Sequence, residues 1–259
     1  MRRIGRIDVS VIVPCLNEEG ALPFFLDSLA GQLMLPHRME LVIVDGGSRD
    51  ESQDIVDMFE FSHPDLNVVK LVDLTRNMGY VRNLGAKFAS APILFFTNSD
   101  AVLPANLLAD VWLRFMDPRL MALSGSTVPF DAGLLGLLGY SCFDVLRSFM
   151  ANHCGKFSPS GNFLAVRSEL FNELGGFPQA SVNEDGLLGL RISQYCNSRG
   201  LLARFDLRLK TGHYAKRFKK GAVKTLLFYS YVFGNFNPWL ARLLAPVENS
   251  SGEAFKRKC

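Results

Sequence analysis

The sequence contains few cysteines, and none of the five belongs to a pattern that would hold a metal ion. Cys15, Cys142, Cys154, Cys196 and Cys259 include no C-x-x-C pair, which excludes the common zinc frameworks. Their odd number and irregular spacing argue against a secreted disulfide scaffold. We therefore expect a reducing, cytoplasmic setting.

Long hydrophobic runs are also missing, although 48% of the residues are hydrophobic and 20% are charged. No window reaches the roughly 18 consecutive apolar residues that a membrane span requires. The nearest, residues 132–143, runs into Asp144. No apolar signal core follows the basic start of the chain. The 259 residues predict one large domain, or one domain with an appendage.

Acidic side chains are absent from residues 207–247, which carry eight basic ones, whereas residues 1–206 carry 17 basic and 23 acidic. Six aromatic residues follow between 228 and 239. Basic charge combined with aromatic residues suits an anionic membrane surface. A helix packed on the core with a solvated basic face is the alternative. Nucleic acid is not expected as a partner, because no recognition motif accompanies the charge.

Short apolar segments alternate with stretches of helical spacing over the first 130 residues. The segments 9–14, 41–44, 68–72, 93–97 and 121–128 predict buried strands, with helices between them. Asn17 and a capping box at residues 48–51 are candidate helix starts, and Pro104 opens a helix through Phe115. This alternation predicts an α/β fold with a doubly wound, mostly parallel sheet flanked by helices. A basic helical appendage follows it.

Polar residues stand at the ends of three predicted strands, at Asn17 and Glu18, at Asp45, and at Asn98 to Asp100. Each could simply cap its own helix or turn. Ligands of open α/β sheets bind beyond the carboxyl ends of the strands, so the three together favour a site. No G-x-G-x-x-G follows the first strand, which disfavours a Rossmann oxidoreductase.

Five short motifs occur in an order and spacing that resemble family 2 glycosyltransferases of the GT-A fold. They are VIVPCLNEE at 11–19, VDGGSRD at 44–50, RNMGYVRNLGA at 76–86, NSD at 98–100, and GGFP with NED at 175–178 and 183–185. The resemblance covers roughly residues 8–213. It implies a GT-A domain over 1–213, with a nucleotide-binding half at about 8–130 and an acceptor half at about 131–213. Residues 214–259 form the basic, aromatic extension.

The resemblance implies a nucleoside diphosphate sugar as donor. Backbone at Pro14, with Asn17 and Glu18, would line the nucleoside, and Asp45 would accept a hydrogen bond from the base. Four further residues would form the other side of the donor site: Arg82, Asn83, Asn98 and Ser99. Of these, Arg82 would lie near the phosphates.

A divalent cation, Mg²⁺ or Mn²⁺, is implied by the position of Asp100 in the family's D-x-D motif. The motif departs from the family here, because Asn98 occupies its first position. One carboxylate fewer predicts weaker metal binding that depends on the donor's own phosphates. His213 is a second candidate ligand, since some relatives place a metal-binding histidine there. A lone histidine is more often an ordinary surface or core residue.

Glu184 and Asp185 precede an apolar run of helical spacing, and carboxylates are favoured at a helix N-terminus for electrostatic reasons alone. The resemblance makes Asp185 the general base and Glu184 a residue that orients the site. Gly161 and Asn162 resemble the loop beneath the donor sugar and acceptor.

We therefore expect an inverting glycosyltransferase with a hydroxyl acceptor that is lipid-linked or close to a membrane, acting peripherally on the cytoplasmic face. One alternative is a sugar-phosphate nucleotidyltransferase, which would usually show a Gly-rich loop with a basic residue after the first strand. The other is a nucleotide-sugar binding protein without turnover, against which the presence of both Asp100 and Asp185 argues.

Overall fold

The protein was analysed as a computed structural model, which describes residues 7–34, 38–75, 77–130, 132–179 and 183–213. Within these residues one sheet of eight strands runs through the molecule. The strands are β1 (Val9–Cys15), β2 (Met39–Asp45), β3 (Asn67–Val72), β4 (Ile93–Phe96), β5 (Ala101–Val102), β6 (Leu120–Pro129), β7 (Leu164–Arg167) and β8 (Leu202–His213). The predicted basic helical extension, residues 214–259, lies outside the described residues.

Seven helices flank the sheet in the described part of the chain. They are α1 (Leu22–Ala30), α2 (Ser52–Ser62), α3 (Met78–Phe88), α4 (Leu107–Arg114), α5 (Leu134–His153), α6 (Ser168–Glu173) and α7 (Glu184–Arg199). The predicted α/β architecture is therefore confirmed. None of the helices in the described ranges is both long enough and apolar enough to cross a membrane.

The strand order is β3-β2-β1-β4-β7-β6-β8-β5. The first four strands pair in parallel, whereas β7 pairs antiparallel with both β4 and β6. The chain moves outward from β1 to β3 and then returns to place β4 on the other side of β1. The strand order thus reverses between β1 and β4, and the crevice beyond their carboxyl ends is where such sheets bind ligands.

The two faces of the sheet carry separate cores, because successive side chains of a strand point to opposite faces. On one face Val9, Val11 and Val13 of β1 pack with apolar residues of α1 and α4. On the other face Ile12 packs with residues of β4, α6 and α7. Every residue of β1 and β2 is buried, since helices cover both faces of these parallel strands.

The predicted starts of the first two helices are wrong. The helix α1 begins at Leu22, and Asn17 instead accepts a hydrogen bond from the backbone N–H of Arg49 (2.8 Å). The helix α2 begins at Ser52, and Ser48 donates to Asp45 (2.5 Å) rather than capping a helix. Asn17 thus contacts the loop after β2, whereas Ser48 contacts Asp45 within its own loop. The fourth helix is also shorter than predicted, Leu107–Arg114.

The helix α3 lies directly against the sheet at Gly85. A Cβ atom at this position would lie 2.6 Å from Cγ2 of Ile12 and 3.2 Å from Cγ2 of Val44. The glycine therefore sets how closely α3 approaches β1 and β2, and with them the distance from α3 to the carboxyl ends of those strands.

We expect Gly85→Ala to lower the free energy of unfolding by about 1–3 kcal/mol, because the added methyl group overpacks a tight contact. Gly139→Ala in α5 is the matched control, since nothing lies within 4 Å of a Cβ there. That variant should raise the free energy of unfolding by about 0.5–1 kcal/mol through helix propensity. Urea unfolding of both variants measures the difference. Equal shifts of the same sign would contradict the close approach.

Candidate active site

The loops after β1 and β2 form one hydrogen-bonded unit at the carboxyl edge of the sheet. The backbone N–H groups of Asn17 and Glu18 donate to the hydroxyls of Ser48 and Ser52, each at 2.9 Å. In return Arg49 donates its backbone N–H to the side chain of Asn17. Asn17 adopts a left-handed backbone conformation (φ 53°), which turns the chain sharply after β1.

Asp45 ends β2 and is held by its own loop. Its carboxylate accepts hydrogen bonds from the backbone N–H of Gly47 (3.0 Å), the backbone and hydroxyl of Ser48, and the amide of Gln53 (2.8 Å). These contacts give Asp45 a role in shaping the turn. Sequence reasoning missed Gln53, which is the second residue of α2.

The negative charge at this edge affects Cys15, the last residue of β1. Burial, together with the nearby charges of Asp45 and Glu18, raises the pKa of the Cys15 thiol to about 12. The thiol therefore stays protonated at neutral pH, so Cys15 is a packing residue of this edge and not a nucleophile.

Arg82 of α3 lies at the centre of the candidate site. Its guanidinium donates from Nη1 to Oδ1 of Asp185 (2.7 Å) and to Oε1 of Glu184 (3.4 Å). From Nη2 it donates to Oδ1 of Asn98 (3.2 Å) and to the carbonyl oxygen of Gly161 (3.0 Å). The side chain is only 3% exposed, so these contacts replace its hydration. Arg82 thus joins the end of β4, the loop before β7, and the start of α7.

Asn98 connects the same elements through its amide. Its Oδ1 accepts from Arg82, and its Nδ2 donates to the side-chain oxygen of Asn162. The neighbouring Thr97 donates its hydroxyl to the carbonyl of Asn162 (3.0 Å). An aspartate at position 98 would have no hydrogen to donate to Asn162. The amide in place of the first D-x-D carboxylate therefore fits its surroundings.

Glu184 and Asp185 form the first turn of α7, as the sequence predicted. Their side chains are 15% and 24% exposed, so both can reach solvent or a ligand. A Cβ at Gly161 would lie 2.8 Å from Oδ2 of Asp185. The absence of a side chain at Gly161 is what lets the loop pass this close to the carboxylate.

The loop that contains the glycine pair and Phe177 is fixed against α3 by hydrogen bonds to Asn83. Asn83 donates to the carbonyl of Phe177 and accepts from its N–H, both at 2.8 Å. The guanidinium of Arg82 lies 5.3 Å from the centre of the Phe177 ring, a cation–π distance. Phe177 was not among the predicted site residues, although its position beside two glycines was a usable signal.

Asp100 and His213 are brought together by strand pairing. Asp100 immediately precedes β5, in which Ala101 pairs with His213 of β8. His213 is buried and its ring lies 5.7 Å from that of Tyr140 in α5. Among the described residues there is no group of three or more His, Cys, Asp or Glu that could hold a metal ion by itself. Ser99 is buried between Asn98 and Asp100.

The structure therefore places the predicted site residues in three neighbouring groups. Pro14, Asn17, Glu18 and Asp45 lie at the ends of β1 and β2. Arg82 and Asn83 bridge the end of β4 to the loop at Gly161 and Asn162 and to Glu184 and Asp185. Asp100 and His213 lie beside each other at β5 and β8.

Comparison with protein families gives a match of residues 10–167 to the model of Glycosyl transferase family 2. The O-antigen chain rhamnosyltransferase RfbN of Salmonella typhimurium is 25% identical over 270 residues, which cover 96% of this chain and 78% of RfbN. The bactoprenol glucosyl transferase of Shigella phage SfX is 29% identical over 100 residues, 38% of this chain and 30% of that protein.

The fold is similar to that of the mannosyltransferase PcManGT from Pyrobaculum calidifontis, solved in complex with GDP-Man and Mn²⁺. The TM-score is 0.69 with 23% sequence identity, and the match covers 89% of this chain and 64% of that one. This likeness confirms the GT-A fold that the sequence predicted.

Arg82→Lys should lower the free energy of unfolding by about 2–3 kcal/mol. A lysine ammonium cannot donate at once to Asp185, Asn98 and Gly161, so buried acceptors lose their partner. The control is Arg199→Lys, because Arg199 is half exposed and pairs with Glu173 at 3.6 Å. The control substitution should change the free energy of unfolding by no more than about 0.5 kcal/mol. Guanidinium unfolding compares the two, and a similar small loss in both would show that the Arg82 contacts contribute little.

Proposed function

The chain belongs to glycosyl transferase family 2, and from that premise we propose that it transfers a sugar from a nucleoside diphosphate sugar to an acceptor hydroxyl with inversion at the anomeric carbon. The observation that carries the proposal is the Arg82 network. It joins the Asp185 carboxylate to Asn98 at the end of β4, the strand that pairs with β1. Family membership argues against the nucleotidyltransferase alternative.

We assign the donor to the edge formed by the loops after β1 and β2. The nucleoside would lie over Pro14, Asn17 and Glu18, with Asp45 and its loop beside the base. The complex of PcManGT with GDP-Man, which has a similar fold, supports a nucleotide sugar as donor. Asn83 and Ser99 would support the other side of the donor, and Arg82 would carry positive charge toward the diphosphate.

We assign the general base to Asp185. As the acceptor oxygen bonds to the anomeric carbon, its proton passes to the carboxylate of Asp185. The bond between the anomeric carbon and the diphosphate oxygen breaks, and its electron pair stays on the diphosphate. Attack from the face opposite the leaving group inverts the configuration. Glu184 would orient the site, and Gly161 and Asn162 would form the floor beneath the sugar.

Asp100 and His213 would hold the divalent cation, and the chemistry of these two groups fits one. A carboxylate suits Mg²⁺ and Mn²⁺, and an imidazole beside it favours a transition metal such as Mn²⁺. With two protein ligands, the donor's phosphates would complete the coordination. A bound cation supplies charge stabilisation to the departing diphosphate. The Mn²⁺ named with PcManGT supports this assignment.

The acceptor and the place of action follow from the relatives and from the chain's charge. The names of RfbN and the bactoprenol glucosyl transferase point to an O-antigen chain and to a polyprenyl lipid. We propose a lipid-linked acceptor, met at the cytoplasmic face of an anionic membrane. The eight basic side chains and no acidic ones in residues 207–247 support this partner.

Asp185→Asn should lower turnover by about 10²–10⁴-fold, with donor affinity little changed. The amide keeps the shape of the side chain and its acceptor oxygen for Arg82, but it cannot take a proton. Glu169→Gln in the first turn of α6 is the control, because that carboxylate has the same helix position away from the site. Steady-state kinetics and calorimetry separate the two effects. Normal turnover of the Asp185→Asn variant would make Asp185 a helix-start residue only.

Asp100→Asn should nearly abolish transfer while leaving the fold intact. The wild-type protein should lose activity in EDTA and regain it with Mg²⁺ or Mn²⁺. Calorimetric titration of Mn²⁺ in the presence of a nucleoside diphosphate should show binding to the wild type and weak binding to the variant. His213→Ala should weaken Mn²⁺ more than Mg²⁺, since imidazole is a ligand for transition metals. Full activity in the chelator would refute a metal role for both residues.

A further inference from the structure

The helix α5 presents an apolar face to solvent. This is the reverse of the usual amphipathic helix, whose apolar residues face the core. Large apolar side chains recur at helical spacing along the outward side. They are Leu134 (74% exposed), Leu138 (53%), Val145 (56%), Leu146 (46%) and Phe149 (55%). We call these five residues the α5 stripe. Isolated exposed apolar residues are ordinary, but a continuous stripe over a helix of about 30 Å marks an interaction surface.

The charges of α5 lie on its inner side. Asp144 and Arg147 are 4% and 8% exposed and form an ion pair at 3.5 Å, and Asp144 also accepts from the backbone N–H of Thr127 (3.2 Å). No other Asp, Glu, Lys or Arg occurs between residues 132 and 153. The outward face therefore combines apolar side chains with an absence of charge.

The chain continues from His213 beside this helix. The ring of His213 lies against that of Tyr140 of α5, and His213 pairs in the sheet with Pro129, five residues before α5 begins at Leu134. Four basic residues follow between 216 and 220. The seven residues after His213 can span at most about 25 Å. The four basic residues are therefore joined to the chain within that distance of His213, which is less than the length of α5.

We propose that the α5 stripe lies on an anionic lipid bilayer, next to the basic segment that begins after His213. The inference rests on the membrane partner proposed above and assigns the surface that contacts it. Apolar side chains would enter the headgroup boundary while the neighbouring basic residues meet lipid phosphates. A second copy of the chain fits this face less well, because neither the outward side of α5 nor residues 207–247 offers an acidic side chain to pair with basic ones.

Two cysteines of α5 provide a probe and its control. Cys142 is exposed within the outward side, and Cys154 is exposed at the end of the helix, about 120° further round its axis. We would label the full chain with a water-soluble maleimide and measure each site by peptide mass spectrometry. Vesicles of phosphatidylcholine with phosphatidylglycerol should slow the labelling of Cys142 and leave Cys154 reactive.

A double variant tests the stripe itself. Leu138→Asn with Phe149→Asn should weaken sedimentation with the anionic vesicles by about tenfold or more, since two apolar side chains no longer enter the lipid. Met58→Asn with Phe61→Asn is the control, because these apolar side chains of α2 are even more exposed (64% and 90%). That variant should bind as the wild type does. All four positions are on the surface, and circular dichroism verifies the fold.

Three results would overturn the proposal. Slow labelling of Cys142 before vesicles are added would mean that another part of the chain covers the stripe. Protection that grows with protein concentration would mean a second copy. Unchanged Cys142 labelling with vesicles would mean that lipid does not reach it. The vesicles contain neither donor nor acceptor, so these results are independent of whether the protein transfers sugar.

Discussion

A buried guanidinium, that of Arg82, is the interaction on which the arrangement of the site depends. Removing such a charge from water costs several kcal/mol, and the cost is offset only when good acceptors surround it. Here two carboxylates, an amide oxygen and a backbone carbonyl do so, and an aromatic ring lies alongside. Because these groups come from separate parts of the chain, satisfying one cation holds three parts of the site together.

The same network explains why the motif at residues 98–100 departs from its family pattern. An amide offers an acceptor to Arg82 and a donor to Asn162 at the same time. A carboxylate would also accept from Arg82, but it could contact the side chain of Asn162 only if that amide turned its NH2 group toward position 98. The amide at position 98 is thus matched to both of its protein neighbours.

The sequence alone predicted those secondary-structure elements whose signal lies within a short segment of the chain. The buried strands at 9–14, 41–44 and 93–97 were predicted because fully buried parallel strands are continuous apolar runs. Asn17 and Ser48 were misread as helix caps because their partners belong to another loop, 31 and 32 residues away for the bonds of Asn17. The antiparallel insertion of β7 carried no local signal, since pairing direction is a property of the whole sheet.

The helix α5 was missed for a different physical reason. Its apolar residues face outward and its charged pair faces inward, so the usual assignment of apolar residues to the core fails there. In the candidate site, the order of the motifs predicted which residues gather at the strand ends. It did not predict that Arg82 would bond to Glu184 and Asp185, because that pairing depends on how α3 and α7 meet across the sheet.

The position of β7 has a consequence for how such a chain can be recombined. Strand β7 belongs to the second half of the sequence, yet it pairs along its whole length with β4 of the first half, from Ile93 with Arg167 to Phe96 with Leu164. The two halves are therefore joined by backbone hydrogen bonds and not by a hinge. A chimera that imports residues 131–213 from a relative would have to fit the imported β7 beside β4 of this chain. Loops on this shared sheet are thus easier to replace than either half of the chain.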